Sequence, residues 1–185
     1  MDQTLLILLA VVAVVIVAGI LLLQRRRSDH LQSRFGPEYE HEVEQTGSRR
    51  KAEAELAKRE KRVEKLDVRP LEPAAREEFV GRWTEVQAKF VDEPPRAVAS
   101  ADALLAEVMS ARGYPVGDFD QRAGDISVDH PQVVEHYRAG HEIAVRHKRG
   151  DAGTEELRQA MIHYRALFEE LVDEKERSPR EEVAH

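Results

Sequence analysis

Apolar and polar positions divide the chain into two regimes. From Leu5 to Leu23 (LLILLAVVAVVIVAGILLL) no position is polar. At 1.5 Å per residue about 19 helical residues span roughly 28 Å, the hydrocarbon thickness of a bilayer, so this stretch predicts one transmembrane helix. Past Arg25, Arg26 and Arg27 the pattern turns amphipathic and stays so. Ser28 or Asp29 is expected to cap a short helix that Phe35-Gly36-Pro37 breaks, and Glu38 to Gln45 follows, ended by Gly47. Arg49 to Asp67 carries Ala52, Leu56, Val63 and Leu66 on a narrow stripe, which predicts a charged stalk helix or a two-heptad coiled coil.

Beyond the break at Arg69-Pro70-Leu71-Glu72-Pro73, the pattern predicts a helical bundle. Phe79, Val80, Trp83, Val86, Phe90 and Val91 form the widest and most aromatic apolar face, expected of a central core helix. Val98, Ala101, Leu104, Leu105, Val108 and Met109 line the next helix, ended by Gly113, and the short Asp92-Glu93-Pro94-Pro95 connection makes the two an antiparallel hairpin. Asp118 to Ile126 is a short helix with Phe119, Ala123 and Ile126 on one side. Asp129 is the expected N-cap of a helix carrying Val133, Val134, Tyr137, His141 and Ala144, and Thr154 that of a last helix with Leu157, Met161, Tyr164, Phe168 and Leu171. The expected organisation is a leader over 1–4, a transmembrane helix over 5–23, a juxtamembrane segment over 24–47, a stalk helix and linker over 48–72, a bundle of four main helices in two hairpins over 73–177, and a disordered tail over 178–185.

Composition agrees with an all-α class, since charged residues reach 34% against 5% aromatic. The absence of Cys removes disulfides, thiolate chemistry and Cys-built zinc sites. Charge sets the expected topology. The leader carries Asp2 and no Lys or Arg, whereas three arginines follow the apolar run, so the positive-inside rule puts the N-terminus outside and the C-terminal domain in the cytoplasm. A cleavable signal peptide needs a basic n-region, a shorter apolar core and a small-x-small site, and the chain has none of these. Arg25, Arg26 and Arg27 would lie among lipid headgroups, while the body behind them, in a chain of formal charge −7, is acidic and repelled from the same surface. That charge distribution argues against a nucleic-acid partner and leaves the lipid bilayer and a protein partner or self-association.

Chemistry is concentrated in Val116 to Ala144, with Asp118, Asp120, Asp125, Asp129, His130, His136 and His141. His136 and His141 are five apart and do not share a helix face, and no Glu-x-x-His pair repeats on two helices. No catalytic residue, cofactor or metal is therefore assigned; if a metal were bound, the candidate ligands would be Asp129, His130, His136 and His141. His141 falls on the inner face, where a carbonyl or carboxylate is expected to satisfy it. Asp102 lies beside the buried stripe and needs a partner from the second hairpin, for which Tyr137, Arg138, Tyr164 and Arg165 are the candidates. Asp102, Tyr137, His141 and Tyr164 are thus the expected buried polar groups. The tetrapeptide His-Tyr-Arg-Ala occurs at His136 to Ala139 and at His163 to Ala166, without enough matching context to make a repeat. Glycine loops for phosphate and nucleophile elbows are missing.

Several segments, RFGPEYE (Arg34 to Glu40), REKRVEKLDVRPL (Arg59 to Leu71), FVDEP (Phe90 to Pro94), RGYP (Arg112 to Pro115), SVDHP (Ser127 to Pro131) and TEELRQAM (Thr154 to Met161), resemble a family of uncharacterised bacterial single-pass membrane proteins. The resemblance implies an anchor plus a helical domain and carries over no catalytic residue. The expected function is a membrane-anchored, non-enzymatic interaction or scaffold domain at the cytoplasmic face. A helical metal- or small-ligand-binding enzyme or sensor using Asp118 to His141 is the alternative, and lipid association through the arginines and stalk a third.

Overall fold

The structure, a computed structural model, describes residues 3–173, apart from the side chains of residues 3–7, 9 and 10. Within them the fold is all-helical: α1 (Gln3–Phe35), α2 (Pro37–Thr46), α3 (Arg49–Val63), α4 (Pro73–Lys89), α5 (Pro94–Ala111), α6 (Phe119–Asp129), α7 (Val134–Lys148) and α8 (Thr154–Asp173). The tail expected over 178–185 lies outside the described residues. The chain divides into two compact units, Met1–Ala57 and Lys58–His185.

In the first unit α1 is one continuous helix of 33 residues. The expected cap at Ser28 or Asp29 does not form. No Gly or Pro interrupts Gln24 to Phe35, so nothing stops the helix before Gly36, and Pro37 then starts α2 at its first turn. Ser28 instead donates to Glu53 Oε1 at 2.5 Å and Tyr39 donates to the same oxygen at 2.9 Å, while Arg49 reaches Tyr39 Oη at 2.9 Å and Ser28 Oγ at 2.6 Å. Burial works against the Glu53 carboxylate, but the hydrogen bonds from Ser28, Tyr39 and Arg49 outweigh it and hold its pKa below the ordinary value. Leu31, Phe35, Tyr39, Ala52 and Leu56 are buried. Along α1 from Val11 to Leu23 the apolar side chains are open on every face, at 57% for Val11 and 68% for Leu23. Among the described residues no helix is long and apolar enough to cross a membrane.

The second unit holds the bundle. The α4–α5 and α7–α8 pairs pack on each other across short connections, and α8 also packs on α5 and α4. Proline at the first turn of α4 and α5 supplies a preset φ where the missing N–H costs nothing. The central helix is α8, not α4. The 4-3-4-3 step of α8 buries eight residues, Leu157, Ala160, Met161, Tyr164, Leu167, Phe168, Leu171 and Val172, whereas α4 buries only Phe79, Trp83 and Val86 and leaves Val80 and, just past its end, Val91 exposed. The two are joined by the Trp83 and Phe168 rings, stacked at 4.6 Å. Two expected caps also move. Asp118 caps α6 by accepting from the Gln121 N–H at 2.9 Å, and Asp129 ends α6 rather than opening α7. Thr154 is the first residue of α8, and the cap contact is made by Glu156, which accepts from the Gly153 N–H at 3.0 Å.

Candidate functional site

A cluster of polar side chains lies in the second unit, where α5, α6, α7 and α8 converge around Asp102, which is half-buried rather than enclosed as its place beside the apolar stripe predicts. Tyr137 of α7 donates to Asp102 Oδ1 at 3.3 Å. Arg122 of α6 donates through Nε to Tyr137 Oη at 2.9 Å, through Nη1 to the Gly117 carbonyl at 2.9 Å, and places Nη2 3.6 Å from Asp102 Oδ2. Tyr164 of α8 brings its ring to 6.1 Å from that of Tyr137, and its hydroxyl is buried without a hydrogen-bond partner among the described residues. Burial pushes both tyrosine hydroxyls up from their ordinary pKa, and the Asp102 charge adds to the shift. Both phenols therefore stay protonated at any physiological pH. The arrangement gathers a carboxylate, a guanidinium and two phenols, with the Arg122 side chain 13% and the Asp102 side chain 30% exposed.

Asp102 thus does find Tyr137 in the second hairpin, as its position beside the buried stripe predicts. Its arginine is Arg122, and neither Arg138 nor Arg165 reaches it. The signal for Arg122 was present in the sequence: it lies three residues after Phe119 and four before Ile126, on the apolar face of α6. His141 is half-buried, and its contact is the Phe119 ring, stacked at 3.6 Å and 8°, in place of the expected carbonyl or carboxylate. Burial pushes its pKa down from the ordinary value.

The acidic and imidazole groups of Asp118 to His141 are dispersed. Asp118 caps α6, Asp125 is enclosed against Arg62, and Asp129 accepts from Tyr114 Oη at 2.6 Å. His130 Nδ1 lies 3.1 Å from Glu170 Oε1, and His136 Nδ1 lies 3.0 Å from His163 Nδ1. Asp129, His130, His136 and His141 therefore do not form one site, and among the described residues no three His, Asp or Glu groups come together to hold a metal. The reason is rotational: neighbouring residues on a helix point about 100° apart, so a run dense in ligand types sends them to different neighbours.

The two His-Tyr-Arg-Ala segments meet where α7 crosses α8, His136 against His163 and Tyr137 against Tyr164. Gly140 permits that approach, because a Cβ there would come 2.7 Å from the Tyr164 ring carbons. Burial, and then the neighbouring His136, push the His163 pKa down.

Two outcomes follow from this geometry. Tyr137→Phe strips a hydrogen bond from both Asp102 and Arg122 and is expected to cost about 1–2 kcal/mol, whereas Tyr164→Phe removes a hydroxyl that bonds no described group and is expected to be neutral or stabilising by up to about 1 kcal/mol. Thermal melts of the two variants compare them directly; equal losses would remove the asymmetry. His141 and His163 titrate lower in the folded chain than unfolded, so their contribution to stability is present above about pH 6.5 and is lost as pH falls through their depressed folded values. Chemical denaturation at pH 7.5 and pH 5 should show the loss, and His141→Gln combined with His163→Gln should flatten it.

A groove of about 320 Å³ runs between α4 and α8, with Val80, Trp83, Phe168 and Val172 in its walls and Arg165 and Glu169 among its polar residues. Compared with family models, with curated proteins and with solved structures, the chain matches none.

Proposed function

We propose that the chain is a membrane-anchored, non-enzymatic helical protein. Leu5 to Leu23 crosses the bilayer once with the N-terminus outside, and the helices behind it hold a protein partner or a second copy at the cytoplasmic face. The observation that carries this reading is the state of α1: consecutive apolar side chains from Val11 to Leu23 are open on every face of an unbroken helix. A helix apolar all round needs an apolar surrounding; the described part of α1 alone falls short of a membrane span, and the run of the sequence back to Leu5 is what supports reading lipid as that surrounding. Arg25, Arg26 and Arg27 follow at the headgroup level expected of a cytoplasmic flank. The resemblance to bacterial single-pass proteins belongs to the same reading. The groove between α4 and α8, apolar in its walls and charged at its edge, is the surface best suited to a protein partner.

The test is membrane fractionation with a topology reporter fused to the C-terminus. The full chain is expected to resist carbonate extraction, a C-terminal fluorescent protein to fold and an alkaline phosphatase in its place to be inactive. Deleting residues 1–27 should release the protein from the membrane. Extraction of the intact chain by carbonate would end the anchor reading, and an active phosphatase would reverse the topology.

A further inference from the structure

We propose that His136 and His163 together bind one divalent transition-metal ion of the zinc class, with water completing its shell. The two rings stand on different helices and meet nearly tip to tip, Nδ1 to Nδ1 at 3.0 Å with ring centroids 5.3 Å apart. Zinc bonds imidazole nitrogen at about 2.0–2.1 Å, so two ring nitrogens sharing one ion lie about 3 to 3.4 Å apart. The two ring nitrogens, within hydrogen-bonding distance of each other, thus also stand at ligand spacing, and a rocking of the rings would aim both lone pairs at a common point. His136 is exposed and His163 half-buried, so that rocking is open to them and water has access to the remaining positions.

The alternative occupant of the gap is a proton shared between neutral rings, since two protonated imidazoles at this distance repel. Among the described residues neither ring has a carboxylate partner. The Nδ1 atoms are thus turned to each other and to no anion, and the packing of Gly140 against Tyr164 fixes the crossing that brings them together.

Zinc bound per chain is measured by equilibrium dialysis of the metal-free full chain in detergent micelles at pH 7.5. Because the chain has eight histidines, the comparison with variants is the readout. Wild type is expected to bind one equivalent more than His136→Gln/His163→Gln, and each single variant to bind that equivalent at least about tenfold more weakly. Imidazole nitrogen NMR of the wild-type chain gives a second readout that needs no variant: zinc should shift the Nδ1 resonances of both His136 and His163. Equal zinc in wild type and double variant, no zinc in either, or unmoved Nδ1 resonances would overturn the proposal.

Discussion

Gly113→Ala is expected to lower the stability of the second unit by about 3 kcal/mol or more. Gly113 has φ +95°, a region that L side chains rarely adopt, and a Cβ there would come 2.2 Å from the backbone carbonyl oxygen of Asp67. That oxygen cannot swing away as a flexible side chain would. The segment is tied to the end of α5 by the Arg69 N–H, which donates to the Arg112 carbonyl at 2.9 Å, and by Arg112 Nε, which donates to the Arg69 carbonyl at 3.3 Å. Arg112 also donates to the Leu171 carbonyl at 3.2 Å, so displacing the corner disturbs α8 as well. Gly150→Ala is the control. Gly150 has φ +86° and nothing within 4 Å of an added Cβ, so it carries the backbone strain alone and is expected to cost about 1–2 kcal/mol. Thermal denaturation of both variants separates the clash from the strain; equal losses would show that the Asp67 contact is immaterial.

Arg62→Met is expected to cost about 3 kcal/mol at neutral pH. Asp125 is wholly buried, and its Oδ1 accepts from Arg62 Nε at 2.6 Å and Nη2 at 2.5 Å. Its Oδ2 has no hydrogen-bond partner among the described residues, so the guanidinium is the principal compensation for an enclosed carboxylate. Removing one member of a buried pair leaves an uncompensated charge, which costs about 3–5 kcal/mol. The lower end applies here because the Arg62 side chain is itself 34% exposed and the Arg59 guanidinium lies over the adjacent Gly124. Arg62→Met/Asp125→Leu should recover most of the stability, because replacing both partners with apolar groups removes the desolvation penalty together with the attraction. Denaturant titration of the three proteins decides the matter, and an additive double variant would mean the two side chains are not coupled.

The same pair ties the end of α3, expected as a solvated stalk, to a buried aspartate of α6. The charges of α3 alternate in sign along the helix, which looks like a solvated surface, and four-residue spacing makes each charge self-satisfying on paper. Nothing in that spacing distinguishes Arg62, which reaches a buried aspartate 63 residues away, from its exposed neighbour Lys61. Asp102 was easier, because an acidic residue beside Ala101 and Leu105 is conspicuous within one helix, and the tyrosine it uses was visible as a member of the inner face of α7. Arg122 is harder to single out, because an arginine on a short helix is ordinarily solvated. The expectation that α4 is the central helix failed for a related reason: aromatic content measures how much apolar area a face offers, not how many other helices surround it.

What the sequence determined by itself is local. Pro37, Pro73 and Pro94 at helix starts, glycines at helix ends and the 3.6-residue apolar period mark most of the helices, because these depend on backbone sterics and hydrogen bonds within a few residues. The unbroken apolar character of Leu5 to Leu23 is equally a property of the residues alone. Only the tertiary structure decided that α8 is the centre, that Arg122 and Arg62 find Asp102 and Asp125, and that His136 meets His163. Those pairings depend on the rotation of each helix about its axis and on where two helices cross. A rotation of one residue, about 100°, is enough to turn a partner into a solvated side chain.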